Sequence, residues 1–157
     1  MTRKLFSLFV AMLALMMLAA CSHAQTKLLT QKSVHGELPS KSTLPELTLE
    51  MVTDQTEYPS STKEIAFEIK NEGPATVNFG TPYYVEKREQ GTWYEIPFKD
   101  NVAFTEIGLM LAAGEGYQGK INLTDLNYSL TTGEYRMIKR FYANEKEILL
   151  AVVFQVK

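Results

Sequence analysis

The residues with the most versatile chemistry are few in this chain, and they cluster near its start. The 157 residues include one cysteine and two histidines, and all three, Cys21, His23 and His35, precede residue 36. Ser-His-Asp and Cys-His triads, His/Cys zinc sites, CxxC redox pairs and disulfide frameworks each need imidazole or thiol groups. Because residues 36–157 contain neither group, the sequence excludes these kinds of chemistry there, and we predict no metal and no cofactor.

Carboxylates are the remaining groups that could do acid/base work. If residues 83–98 form a hairpin, Glu86 faces Glu95, and facing carboxylates are the arrangement that glycoside hydrolysis uses. Arg88 lies near this pair, so charge balance on a solvent face explains it more simply. The other acids lie in loops without the spacing of a calcium-binding motif. We therefore predict that the protein has no catalytic residues and is not an enzyme.

An apolar run near the N-terminus precedes the cysteine. Arg3 and Lys4 come before a charge-free stretch over residues 5–20, which is short for the roughly 20 apolar residues that a membrane-spanning helix needs. A positive start followed by such a run is typical of a secretory signal peptide. The sequence predicts that residues 1–20 are a signal peptide.

The end of this run, Leu18-Ala19-Ala20-Cys21, resembles the lipobox of bacterial lipoproteins. The resemblance implies that the Cys21 sulfur is linked to diacylglycerol and that the peptide before it is removed. It also implies that the new amino group is open to acylation, for example by palmitate. Two acyl chains anchor a protein stably, because each buried CH₂ contributes about 0.8 kcal/mol. We expect a lipid-anchored protein on the extracytoplasmic face of the cell membrane, which is its outer surface in a Gram-positive cell.

The segment after the cysteine has the composition of a flexible linker. Residues 21–44 are rich in Ser, Thr, Gln and Lys and show no sustained hydrophobic period, so they bury too little surface to offset their ordering entropy. His23 and His35 lie within this segment, where solvated side chains explain them better than a shared metal site. Removal of Arg3 and Lys4 takes the formal net charge from −2 to −4. A mildly acidic chain without a basic cluster argues against nucleic acid as a partner.

Residues 45–157 are long enough for one domain with its own core, and their dominant hydrophobic period is two. Alternating apolar residues, separated by turn signals such as Asn71-Glu72-Gly73-Pro74, predict short strands with one buried face. No helical period appears after residue 45. Seven to nine antiparallel strands with frequent turns predict an all-β sandwich.

A tyrosine motif makes this fold prediction more specific. Leu130-x-x-Gly133-x-Tyr135 resembles the tyrosine corner of immunoglobulin-like sandwiches, in which a tyrosine near the start of a late strand bonds to nearby upstream backbone. More widely, residues 45–157 resemble a family of bacterial Ig-like domains found in Gram-positive secreted and lipid-anchored proteins. The resemblance is carried by Val77-x-Phe79-Gly80, Gly91-x-Trp93 and Leu130-x-x-Gly133-x-Tyr135-Arg136. It implies an Ig-like β-sandwich without a disulfide, and it supplies no catalytic residues.

One hairpin contains the candidate binding residues. A turn at Gln90-Gly91 predicts a hairpin over residues 83–98, and the hydrophobic pattern favours the register that pairs Arg88 with Trp93. In this register Tyr84, Arg88 and Trp93 form a patch on the outer face, and these residue types are enriched at binding hot spots. A cation–π pair that only stabilises the sheet explains Arg88 and Trp93 equally well.

These observations together favour a lipoprotein whose Ig-like domain is a non-catalytic binding or structural module of the cell envelope. Its partners would be the membrane, through the lipid, and a protein or cell-wall ligand whose identity stays open. One alternative is a protease inhibitor, because some small bacterial proteinase inhibitors share an Ig-like sandwich; the loop over residues 99–105 would then be the inhibitory segment. A carboxylate-based hydrolase is the least favoured alternative.

Overall fold

Eleven strands and one 3₁₀ turn make up the regular structure of the described part of the chain. The computed structural model describes residues 27–157, so the predicted signal peptide, Cys21 and His23 lie outside the described residues. The strands are β1 (Lys41–Leu44), β2 (Leu47–Thr53), β3 (Glu57–Tyr58), β4 (Glu64–Asn71), β5 (Val77–Gly80), β6 (Tyr84–Glu89), β7 (Thr92–Glu95), β8 (Gly108–Leu111), β9 (Gly116–Asn122), β10 (Gly133–Ala143) and β11 (Lys146–Val156). The 3₁₀ turn, Leu123–Asp125, follows β9.

The strands form two sheets that face each other across one hydrophobic core. The first sheet has the order β1-β2-β4-β9, and the second runs β3-β11-β10-β5-β8, with β6 beside β10 and β7 beside β6. Alternate side chains of both sheets meet in the core, which includes Leu49 and Ile69 of the first sheet and Tyr135 and Phe154 of the second. The predicted all-β sandwich is confirmed.

The structure has eleven strands, more than the predicted seven to nine. Two short strands were not predicted because they carry little hydrophobic pattern. β1 precedes the predicted domain, and β3 has only two residues. β3 also pairs with β11 in parallel, unlike the predicted antiparallel arrangement. Its pairing depends on backbone bonds, such as the one from the Lys157 N–H to the Tyr58 carbonyl at 2.9 Å. Such bonds leave no sequence period.

The hairpin between β6 and β7 has the predicted register. Gln90 and Gly91 have φ values of 50° and 81°, the positive values that a two-residue type I′ turn requires at both central positions. This turn places Arg88 opposite Trp93 and Glu86 opposite Glu95. The predicted pairing of these residues is confirmed.

Residues 27–37, which we call the strap, lie on the sandwich. Leu29 is buried, and Lys32 forms an antiparallel bridge with Tyr94. The Ser33 N–H donates to the Trp93 carbonyl, and the Glu95 N–H donates to the Gln31 carbonyl, each at 2.9 Å. The strap therefore extends the second sheet beyond β7.

The position of the strap corrects the linker prediction for the described residues. Residues 21–44 were expected to be flexible, yet the strap is paired with β7 and residues 41–44 form β1. Backbone pairing at a sheet edge needs no hydrophobic alternation, so the polar composition of this segment concealed it. His35 accordingly lies on the domain surface, and its backbone carbonyl bonds to Arg136.

β10 has two successive neighbours on one side, and the change between them creates a break. Its first half pairs with β6, and its second half pairs with β5. Between these strands lie residues 81–83, where Pro82 has no N–H for a ladder bond. The carbonyl groups at this break need other donors, and Lys139 of β10 lies beside them.

Candidate functional site

The three residues of the predicted patch lie on β6 and β7, on the face turned away from the core. Tyr84 begins β6 and is 47% exposed. Arg88 has a partly exposed side chain that forms ion pairs with Glu37 and Glu134. Trp93 lies opposite Arg88, but it is only 5% exposed. Tyr84 is therefore open to solvent as the patch requires, whereas Trp93 is not.

Trp93 is buried because the strap covers it. The guanidinium groups of Arg136 and Arg88 lie 4.4 and 5.3 Å from its ring centroid. Its Nε1 donates to the Glu37 carboxylate at 3.3 Å, and the same oxygen accepts a bond from Arg88 at 2.9 Å. The predicted cation–π pair is thus present, but Trp93 fastens the strap to the sheet and does not form an open surface with Tyr84.

A buried ion pair lies beneath the strap. Nε and Nη2 of Arg136 are 2.7 and 2.6 Å from the same carboxylate oxygen of Glu86, and both side chains are 1% exposed. The other donor contacts of Arg136 reach the carbonyls of Gly36 at 2.7 Å and His35 at 3.2 Å, and the Ser33 hydroxyl at 3.3 Å. Arg136 therefore binds the strap mainly through its backbone.

The facing carboxylates are held in structural contacts. Glu86 belongs to the buried ion pair, and Glu95 accepts a hydrogen bond from the side-chain amide of Gln31 at 2.6 Å. The loop acid Asp54 accepts from the Tyr58 hydroxyl at 2.6 Å, and burial raises the pKa of Tyr58 to about 12, with this bond as the second cause. Glu86 and Glu95 thus each have a structural partner, and Glu86 is too deeply buried to exchange a proton with a substrate.

Tyr135 forms the contacts of a tyrosine corner. Its hydroxyl donates to the Thr131 carbonyl at 2.7 Å and accepts from the Thr131 N–H at 3.0 Å. Gly133 has a φ of 151°, and a Cβ at this position would lie 3.1 Å from the Lys87 side chain. Leu130 packs against the core. The three motif residues therefore close the turn that leads into β10.

A second buried cation, which the sequence analysis did not single out, lies on the core face of β10. Lys139 is 2% exposed, and its ammonium group donates to the carbonyls of Gly80 and Pro82 at 3.0 Å and of Thr81 at 3.4 Å. Burial lowers the pKa of Lys139 to about 8. A lysine at an inward position of a strand, two residues from Met137 and from Phe141, was the sequence signal that could have found it.

Lys139 also lines a cavity of about 270 Å³ between the sheets. Tyr83 and Phe104 form part of its wall, with ring centroids 5.3 Å apart. Three backbone carbonyls already accept bonds from the ammonium group, whose capacity is three donors. These bonds therefore satisfy the carbonyl groups at the break between β5 and β6. They leave no donor of Lys139 for a ligand.

The loop that a protease inhibitor would need is held against the domain. The Lys99 N–H donates to the Asp125 carbonyl at 2.8 Å, and the Thr81 hydroxyl donates to the Thr105 carbonyl at 2.6 Å. Between these points the Phe104 ring packs 5.1 Å from the ring of Phe98. The loop is thus anchored at its start and at its end, whereas Asp100, Asn101 and Ala103 between these points are exposed.

The described part of the chain contains neither a cluster of metal ligands nor a membrane-spanning helix. No three His, Cys, Asp or Glu side chains among residues 27–157 converge as ligands of a metal ion. Over the same residues, no helix has the length and apolarity to span a membrane.

The fold and the tyrosine corner agree with the comparison with protein families. Residues 45–154 match the family described as bacterial Ig-like domain, and the chain therefore belongs to that family. The Ig-like assignment of the sandwich is confirmed. No curated protein sequence matches the chain.

Several solved structures are similar to this chain at low identity. The periplasmic chaperone SfaE is 8% identical with a TM-score of 0.45, and the match covers 69% of this chain and 56% of SfaE. The archaellum periplasmic stator protein FlaG from Sulfolobus acidocaldarius is 12% identical with a TM-score of 0.40, covering 68% of this chain and 99% of FlaG. PapD-like domain 7 of human CEP192 is 18% identical with a TM-score of 0.37, covering 82% and 96%. This chain thus spans about half the length of SfaE.

Proposed function

We propose that this protein is a lipid-anchored, extracytoplasmic and non-catalytic binding module of the bacterial envelope, with the lipid on Cys21. The observation that carries the proposal is the order of segments along the chain. A charge-free run ends in Leu18-Ala19-Ala20-Cys21, and a bacterial Ig-like domain follows at residues 45–154. A thioether-linked diacylglycerol at Cys21 would keep this domain at the membrane surface.

The contacts of the acidic side chains support a non-catalytic role. The Glu86 carboxylate neutralises Arg136, and Glu95 binds Gln31. A general acid or base must reach a substrate proton and hold a pKa matched to its task. Glu86, at 1% exposure, cannot meet a substrate while it is paired beneath the strap.

Lipidation is tested by the mass of the N-terminal peptide and by metabolic labelling with an alkyne-bearing palmitate. We expect the wild-type protein to carry diacylglycerol on Cys21 and to sediment with membranes. Cys21→Ala is the matched control, because it removes only the thiol. A wild-type N-terminal peptide that keeps residues 1–20 or carries an unmodified Cys21 would overturn the anchor.

Binding to an envelope partner is tested by crosslinking the lipidated protein on intact cells. A photocrosslinker at Tyr84, the exposed member of the predicted patch, is compared with one at Val52, which is 37% exposed on the outer face of the first sheet. We expect a discrete crosslinked protein or cell-wall species from Tyr84 only. The same products from both positions, or none from either, would contradict binding through this surface.

A further inference from the structure

We propose that the strap holds the Ig-like domain close to the bilayer, with one particular edge of the sandwich facing the lipid. We call this edge the anchor-side edge; it consists of residues 27–31, 97–100 and 124–129. The inference rests on the proposed lipidation of Cys21, and it names the surface that contacts the membrane.

Only a short length of chain separates the lipid attachment point from the first residue held on the domain. Leu29 follows Cys21 by eight residue steps, and eight fully extended residues span at most about 26 to 29 Å. A flexible linker from Cys21 to residue 45 would span up to about 80 Å. Because Leu29 is docked on the domain, the part of the domain around Leu29 stays within the shorter distance of the lipid attachment point, however residues 22–26 are arranged.

Several kinds of contact hold the strap on the domain. Leu29 is 6% exposed, and burial of its apolar side chain stabilises the docked strap. The backbone bonds of Ser33 and Glu95 to β7 are both 2.9 Å long. Arg136 adds charge-assisted bonds to the carbonyls of His35 and Gly36. These contacts are distributed along the strap, so no single one must break first.

The N-terminal end of the strap lies beside the loop that follows β7. The loop after β7 pairs with the segment after the 3₁₀ turn through a bridge between Phe98 and Leu126. Lys27 borders both of the grooves beside this paired loop, one of about 350 Å³ and one of about 430 Å³. The chain toward Cys21 therefore departs at the anchor-side edge.

The anchor-side edge exposes apolar side chains together with charges of both signs. Leu28 is 76% exposed and lines the larger groove together with Pro97, which is also exposed. Exposed apolar side chains of this kind suit the boundary between headgroups and acyl chains. Lys27 and Lys99 are exposed, but so is Asp100. This contact therefore does not depend on anionic lipid, and a zwitterionic bilayer is a sufficient partner.

The opposite edge of the same sheet provides a reference surface. From β7 the order runs through β6, β10 and β11 to β3, and four spacings of about 4.8 Å separate β7 from β3 by roughly 19 Å. Thr56 directly precedes β3, where its carbonyl accepts a bond from the Gln155 N–H of β11 at 2.8 Å, and Ser129 belongs to the anchor-side edge; both residues are exposed. Labels at these two positions report on opposite edges of the second sheet.

The distance is tested with the lipidated protein in phosphatidylcholine vesicles that contain a headgroup-labelled dansyl lipid. Trp93 is the sole tryptophan and serves as the fluorescence donor beneath the strap. The control carries twenty Gly and Ser residues inserted after Gln25, which raise the r.m.s. span of a flexible linker from about 15 Å for eight residues to about 30 Å for 28 residues. We expect energy transfer at least threefold higher in the wild type. Equal transfer in the two proteins would overturn the inference.

The orientation is tested with Ser129→Cys and Thr56→Cys in the same vesicles. Lipidation occupies the thiol of Cys21, so each introduced cysteine is the one thiol open to an environment-sensitive dye. We expect a quencher on the lipid headgroup to quench the dye at position 129 at least twofold more than the dye at position 56. Equal quenching, or stronger quenching at position 56, would contradict the proposed facing edge.

The two proposals fail in different ways. An unmodified Cys21 in cells would refute the proposed function. The strap inference is then still tested, because mature protein coupled at Cys21 to a maleimide lipid permits the same Trp93 measurement. A lipidated Cys21 with equal energy transfer in the wild-type and lengthened proteins would leave the proposed function standing and refute the inference.

Discussion

Arg136 and Lys139 are two cations on the same strand that the fold buries almost completely and by different means. Arg136 faces outward beneath the strap and pairs with the Glu86 carboxylate. Lys139 faces the core and bonds to three backbone carbonyls, and no carboxylate lies within ion-pair distance of it among the described residues. One face of β10 thus stabilises a full charge with an opposite charge, and the other stabilises it with dipoles.

This difference explains why the pKa of Lys139 is low. A carboxylate favours the charged form of its partner strongly, whereas dipoles compensate burial only in part. Burial accordingly lowers the pKa of Lys139 to about 8. We infer that the outer face of β10 is a permanent electrostatic attachment for the strap, and that the inner face is sensitive to pH.

Loss of the outer cation should have the largest effect on stability. Arg136→Met leaves Glu86 buried without a partner and removes the bonds to the strap backbone. Breaking a buried pair in this way costs about 3 to 5 kcal/mol, which we expect in the free energy of unfolding measured with urea. Amide exchange at Ser33 should accelerate as well, because the strap loses its attachment.

The double variant Arg136→Met with Glu86→Leu is the matched control for this experiment. Replacing both members of a buried pair by apolar residues is often neutral or stabilising. We expect the double variant to recover most of the lost stability while the strap stays loosened. A single variant as stable as the wild type would show that the ion pair is not essential.

The inner cation should make stability depend on alkaline pH. The folded-state pKa of Lys139 is about 8, below the ordinary value of 10.5. Between these values the unfolded chain binds more protons, so the free energy of unfolding rises with pH. The rise between pH 8 and pH 10 should be about 2 kcal/mol, and Lys139→Met should abolish it.

Urea denaturation at several pH values from 7 to 10 measures this dependence. Lys120→Met is the control, because Lys120 is an exposed cation on β9 and its removal should keep the rise. The window ends at pH 10 because the raised pKa of Tyr58 makes stability fall once the unfolded chain loses tyrosine protons. A flat wild-type profile would disprove the assigned role of burial at Lys139.

A neutral donor on the inner face should have an intermediate effect. Tyr135→Phe removes both bonds to Thr131, leaving a buried N–H and carbonyl to find other partners, and we expect a loss of about 1 to 3 kcal/mol. Thermal melting and urea denaturation measure the change. Tyr84→Phe, at an exposed position, should stay within about 0.5 kcal/mol of the wild type. Similar losses in both variants would mean that the tyrosine corner adds little.

The smallest effect should come from the exposed ion pair at the end of the strap. Glu37→Gln removes the charge that pairs with Arg88 at 2.9 Å but keeps an acceptor for Trp93. Exposed pairs contribute about 0 to 1 kcal/mol, so unfolding by urea should change by no more than that. A loss of stability as large as that of Arg136→Met would mean that Glu37, and not Arg136, is the main attachment of the strap.

Much of the fold was predictable because it depends on local patterns. Alternating apolar residues predicted β4 and β11, and Gln90-Gly91 predicted the turn and register of the β6–β7 hairpin. The tyrosine motif located the start of β10. Each of these signals lies within a few residues of the structure that it specifies.

The candidate site was less predictable because its contacts join distant segments. Nothing near Trp93 in the sequence shows that the strap covers it, and the polar strap has no period of its own. Lys139 occupies an inward position whose meaning depends on a break between two other strands. The placement of Trp93 on an outer face was foreseen, but its burial required knowledge of residues more than fifty positions away.

The sequence separation within the strap contacts sets an order of events during folding. The bond from Arg136 to the Gly36 carbonyl joins residues 100 positions apart, whereas β10 and β11 are joined by a short turn. Contacts between distant segments form late because loop closure costs entropy before they are made. We therefore expect the strap to dock last, after both sheets of the sandwich have formed.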